Sequence, residues 1–118
     1  MDIHMYGAHF SDTHLNHVSF TSLRMRNVRF FNCNLMFVRF QNSTLENVEF
    51  YGCEISISFF TAKAKKVTFN KCDIKYCKVI GYFDSDIYNI TFKDCKIGEL
   101  EFPKTARSNI KFNMESSE

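Results

Sequence analysis

The chain repeats itself every five residues, and that period rules out the common folds. Every fifth position gives Met5, Phe10, Leu15, Phe20, Met25, Phe30, Leu35, Phe40, Leu45, Phe50 and Ile55, all apolar. At ordinary composition about half of them would be apolar by chance. The residues two positions earlier are mostly small or apolar too: Ile3, Ala8, Thr13, Val18, Leu23, Val28, Cys33, Val38, Ser43, Val48 and Cys53. An amphipathic helix needs apolar residues about 3.6 apart, and a half-buried strand needs strict alternation. This pattern is neither. Two inward residues in five fit a very short strand followed by a corner. With a turn of about 90° at each corner, four units make one square coil, and successive coils lie one strand spacing apart, about 4.8 Å.

The phase shifts twice. After Ile55 the anchors run one residue early, as Phe59, Ala64, Phe69, Ile74 and Val79. A second irregularity, Gly81 to Asp86, inserts residues before Ile87, Phe92, Ile97 and Phe102. Phe112 resumes the pattern beyond a poor unit at Arg107. With these two adjustments alone, residues one coil apart fall into four columns. Column one is Phe10, Phe30, Phe50, Phe69, Phe92 and Phe112. Column two is Leu15, Leu35, Ile55, Ile74 and Ile97; column three is Phe20, Phe40, Phe59, Val79 and Phe102. Column four is Met5, Met25, Leu45, Ala64 and Ile87. Column one stays wholly Phe, which supports both phase shifts. Cys33, Cys53, Cys72 and Cys95 all fall two residues before column two, so they form an interior ladder; Cys77 lies in the adjacent column. They read as small core-filling side chains.

The repeat resembles the pentapeptide-repeat family, whose consensus is A(D/N)LXX, from Ile3 to Phe112. Asn34 and Asp73 carry the consensus Asn or Asp; Phe replaces Leu on alternate units, and Val or Cys replaces Ala. The resemblance implies an all-β fold, a right-handed quadrilateral β-helix of roughly five and a half coils at one strand spacing per coil. It covers residues 1–118 as a single domain, irregular at 56–58 and 80–86, with a polar tail at 113–118. The resemblance also implies a non-enzymatic protein-binding module, with a bacterial target such as the topoisomerase DNA gyrase. The alternative it implies is a structural or targeting domain of a larger protein, such as a secreted bacterial effector.

The repeat disperses polar groups around a rod, so neither catalysis nor a cofactor is expected. His4, His9 and His14 point outward from successive faces and diverge, which does not suit metal ligation. Glu54 and Asp73 stack one coil apart, yet a flat face excludes no water, and ordinary charge pairing with Lys75, Lys96 or Asn34 is the expectation. Arg29 and Glu49 should pair across coils. The net charge is only +2, and the cationic residues are interleaved with Glu46, Glu49 and Glu54. A nucleic-acid partner is therefore not expected, because that needs a one-sided basic stripe. No stretch approaches the roughly 18 apolar residues of a membrane span. No charged n-region with an apolar run opens the chain, so a cytoplasmic protein with reduced thiols is expected, or one exported without a signal peptide if it is an effector domain.

Outward apolar residues are the informative oddity, because contiguous patches mark partners. Phe31 and Tyr51 stack on face one; Met36 and Phe37 sit on face two and its corner, with Tyr76 further along. Phe60 lies outward on face three, beside the inserted loop with Tyr82, Phe83 and Asp84. These nine residues are the expected protein-binding surface. Neither end carries a visible cap, and open strand edges invite association. Either the ends stack into a homodimer, or the chain is part of a longer protein.

Overall fold

The computed structural model describes residues 3–60, 63–80 and 84–113, with the backbone alone described at Phe59, Phe60 and Asp84. The chain winds as a parallel β-solenoid of about five turns. Among the described residues twelve strands follow in order: β1 (Ile3–Tyr6), β2 (His9–Ser11), β3 (Ser19–Thr21), β4 (Leu23–Phe31), β5 (Asn34–Gln41), β6 (Thr44–Tyr51), β7 (Glu54–Phe60), β8 (Lys63–Asn70), β9 (Asp73–Ile80), β10 (Ile87–Lys93), β11 (Lys96–Glu101) and β12 (Ile110–Asn113). Each pairs in parallel with strands one coil away. One sheet runs β1-β4-β6-β8-β10-β12, with β2 also on β4; the other runs β11-β9-β7-β5-β3.

The strands are longer than one five-residue unit because two of the four corners keep their ladder bonds. β4 carries faces four and one in a single nine-residue strand. β5 and β9 likewise span faces two and three. From β4 onward, among the described residues, the strands end at the other two corners, such as Asn32–Cys33 and Asn42–Ser43; in the first coil they also break at Gly7–Ala8 and over Leu15–Val18.

The columns stand as the repeat predicts. Phe10, Phe30, Phe50, Phe69, Phe92 and Phe112 are paired in register. Their rings stack 4.9–5.4 Å apart, at interplanar angles of 6–15°. Such pairs contribute about 0.5–1.5 kcal/mol each beyond the area they bury. Columns two and four follow the same register, and Val28, Val48, Val67 and Ile90 fill the positions between anchors. Val28, Val48, Val67 and Ile90 are buried, as are the anchors Phe30, Phe50, Phe69, Phe92, Leu35, Ile55, Ile74, Met25, Leu45, Ala64 and Ile87.

The corners explain the polar positions. Residues at five-residue intervals adopt left-handed backbone: Gly7, Asp12, His17, Ser22, Asn27, Asn32, Phe37, Asn42, Asn47 and Gly52, then Lys66, Lys71, Asn89 and Asp94. Asn, Asp and Gly tolerate that conformation best. Asn47 Nδ2 donates to Asn27 Oδ1 across one coil at 2.6 Å. At Gly52 a Cβ would lie 2.6 Å from Asn32 Oδ1 and would displace that side chain, and the φ of +64° strains any other residue there.

The cysteine ladder is present and does more than fill space. Cys33, Cys53, Cys72 and Cys95 each donate Sγ–H to the carbonyl two residues earlier, at 3.3–3.5 Å. Each also reaches a carbonyl of the preceding coil, that of Phe10, Phe30, Phe50 or Phe69. Thr13 and Ser43 make the same bond to Ser11 and Gln41 with their hydroxyls. The carbonyls of Phe31, Tyr51, Asn70, Lys93 and Gln41 already accept a backbone N–H from the preceding coil, so the small inward donor adds a second bond at each of these corners.

Two features depart from the expectation. The poor unit at Arg107 is not a strand unit: Lys104–Asn109 forms a 3-10 helix that buries Ala106 completely. The C-terminal end, expected to be uncapped, is therefore covered over faces four and one. Residues Asp84–Asp86 form a second 3-10 turn, with Asp86 nearly buried.

Candidate binding groove

The first phase shift is one residue missing from a corner. β5 and β7 pair Met36 with Ser56 but Val38 with Ile57, leaving Phe37 without a counterpart. On the other side, Ile55 pairs with Ile74 and Ser56 with Tyr76, which skips Lys75. The coil of β7 is short, flanked by coils of full length. A gap results where a corner should project.

That gap is a groove of about 540 Å³ lined by His17, Ser19, Phe37, Val38, Arg39, Ser56, Ser58 and Tyr76. One wall is aromatic: the rings of His17 and Phe37 stack 5.0 Å apart at 19°. Phe37 is 62% exposed, and its φ of +62° is an uncommon conformation for a bulky side chain. The opposite wall is Tyr76, whose hydroxyl donates to Glu101 Oε2 at 2.6 Å. That bond to a carboxylate pushes the Tyr76 phenol up to about 12. Ser56, 7% exposed, forms the floor. Ser19, Arg39 and Ser58 follow in register along face three. Among the described residues, no carboxylate pairs with the Arg39 guanidinium.

The expected surface residues divide among several places. Phe37 and Tyr76 line the groove, and Met36 stands beside it, its N–H bonded to Asn16 Oδ1 at 3.1 Å. Phe31 and Tyr51 belong to the other sheet and meet each other at 5.8 Å, tilted by 48°, with Lys71 Nζ 5.9 Å from the Tyr51 ring centre. Tyr82 and Phe83 lie outside the described residues, and of Phe60 and Asp84 only the backbone is described. The groove's polar members, Ser19, Arg39, Ser56 and Ser58, were not among the expected residues. The signal for them was the unit with a single corner residue, Ser56, between Ile55 and Ile57.

The charged pairs elsewhere are local. Lys75 bonds Asp73 at 3.1 Å, Arg29 lies 3.8 Å from Glu49, and Asn34 Nδ2 donates to Glu54 at 3.5 Å. Among the thiols, burial pushes Cys77 up to about 12. Hydrogen bonding from Cys72 lowers Cys95, at the open end of its ladder, to about 7. Among the described residues, no three His, Cys, Asp or Glu side chains converge on a metal-sized site, and no helix is long and apolar enough to cross a membrane.

No curated protein sequence matches the chain. A family model described as a pentapeptide repeat region matches residues 2–79, more than half of the length. Register, stacked columns and this match agree: the chain belongs to the pentapeptide-repeat family.

Proposed function

We propose that the protein is a non-enzymatic binding module that holds an extended segment of a partner protein in the corner groove. The observation that carries this reading is the gap left by the missing corner residue in β7, because it turns a flat solenoid face into a concave one. The chemistry of the lining selects the ligand. Phe37 with His17, and Tyr76 opposite, offer ring faces to an apolar or aromatic side chain. Arg39 between two serine hydroxyls offers a fork of donors to a carboxylate. A peptide with an aromatic residue next to Asp or Glu satisfies both.

Panning a random peptide display library against the folded protein tests this. Enrichment of peptides pairing an aromatic with an acidic residue is the expected result. Affinity for such a peptide should fall at least about tenfold in Arg39→Ala and in Phe37→Ala, since each removes about 1.4 kcal/mol or more of contact. Phe31→Ala, on the other sheet, should leave it unchanged. No enrichment, or peptides equally well bound by Arg39→Ala and Phe37→Ala, would sink the proposal.

A further inference from the structure

The first coil is half-open on all four faces. Its inward side chains Met5, Ala8, Phe10, Thr13, Leu15, Val18 and Phe20 are only half-buried. One coil later the same columns are closed: Met25, Val28, Phe30, Cys33, Leu35, Val38 and Phe40 are all 3% exposed or less. A shallow cavity of about 120 Å³ opens on this end, lined only by apolar residues, including Met5, Phe10, Leu15 and Phe20. Among the described residues β1, β2 and β3 each have one neighbour, so their far edges present unpaired backbone groups. This is an unfinished ladder, and such edges take up another strand readily.

The charge pattern distinguishes what can cover it. Residues 3–22 contain no Lys, Arg or Glu and a single Asp, Asp12, whereas the next coil carries Arg24, Arg26, Arg29 and Arg39. Two copies of the first coil can therefore approach with almost no like-charge repulsion. The shape is also complementary to itself. Phe10 and Phe20 lie on opposite faces, with Met5 and Leu15 on the other two. A two-fold axis through opposite faces sets Phe against Phe and continues both aromatic stacks; an axis through the corners would set Phe against Leu or Met.

We propose that the first coil is a self-association surface, on which two copies stack N-terminal end to N-terminal end about such an axis, their edge strands meeting antiparallel. The contact is isologous and closes at two subunits. It uses the end face of the rod, whereas the groove opens on a side face and reaches the first coil at His17 and Ser19.

Sedimentation equilibrium of the full chain from about 1 to 200 µM tests it, together with amide hydrogen exchange at both extremes. The expected result is a monomer–dimer equilibrium, with amides of residues 3–21 exchanging more slowly at high concentration and those of β11 unchanged. The double variant Ser11→Lys, Thr21→Lys, whose side chains point outward from the edge strands, should raise the dissociation constant at least tenfold with an unaltered circular dichroism spectrum. A chain monomeric at every concentration, a dimer protected at β11 instead, or a dimer indifferent to the two lysines would each overturn the proposal.

Discussion

The two ends of the solenoid meet the same problem in opposite ways. At the N-terminal end a whole layer of anchors lies half-open. At the C-terminal end the chain abandons the repeat: the 3-10 helix Lys104–Asn109 folds over β10 and lays β12 beside it. Ile87, Ile90 and Phe92 are buried there as completely as in the middle. Faces two and three of that end, with Cys95, Ile97, Leu100 and Phe102, stay half-exposed. A five-residue unit always presents its next edge, so it cannot close its own stack. Closure needs a segment of a different period or a second molecule.

The largest expected effect tests the contrast between middle and end. Phe50 is wholly buried with a ring stacked on each side, and Phe50→Ala should cost about 3–5 kcal/mol. Phe10 is half-buried with one stacked neighbour, and Phe10→Ala should cost about 1–2 kcal/mol. Urea unfolding at a concentration too low for association measures both; equal losses would erase the distinction between end and interior. Next comes the C-terminal closure. Ala106→Arg forces a long charged side chain into a filled space and should cost about 2–3 kcal/mol. Hydrogen exchange should then quicken first in β10 and β12, and uniform quickening would mean that the helix does not act as a lid.

The smallest effect is chemical. Cys95 stands where the C-terminal end remains open, and its thiol is lowered to about 7 by the bond from Cys72. A lowered thiol is increasingly thiolate as pH rises through that value, and the thiolate is the reactive form. Alkylation of the native protein should therefore modify Cys95 first, with a rate rising between about pH 6 and 8. Cys77, pushed up to about 12 by burial, should resist throughout. Mass spectrometry of peptides decides; Cys33 or Cys77 reacting first would contradict the picture of an open C-terminal half.

What could be read from the sequence followed from the repeat itself. Inward positions tolerate few residue types, so Phe at column one located both phase shifts, and the column of cysteines checked them. Hydrogen bonding from those cysteines was not visible, because the carbonyls each reaches are brought to the thiol only by the folded corner and the coil before it. The lid was missed for a related reason. Pro103–Asn109 holds one buried apolar residue, Ala106, and a single residue carries no period. The groove depends on three coils at once. Ser56 marks the missing residue, but a void appears only when Phe37 and Tyr76 stand on either side of it. Phe37 itself left a trace, since it occupies one left-handed corner position in a run where the adjoining corners use Asn27, Asn32, Asn42 and Asn47.

The parallel register has a consequence for how the chain finds its structure. Every ladder partner lies one coil away, as Phe50 from Phe30 or Ile90 from Val67. Each added coil closes a loop of nearly the same length, so the entropic cost of each step is nearly constant. The barrier belongs to the first two coils that meet, and growth afterwards proceeds as along a zipper. Any pair of well-packed coils can serve as the seed. The coils of β4 to β6, flanked by full ladders and free of insertions, suit that role better than either end, so assembly should spread outward from the Phe30–Phe50 stack and finish at the edges.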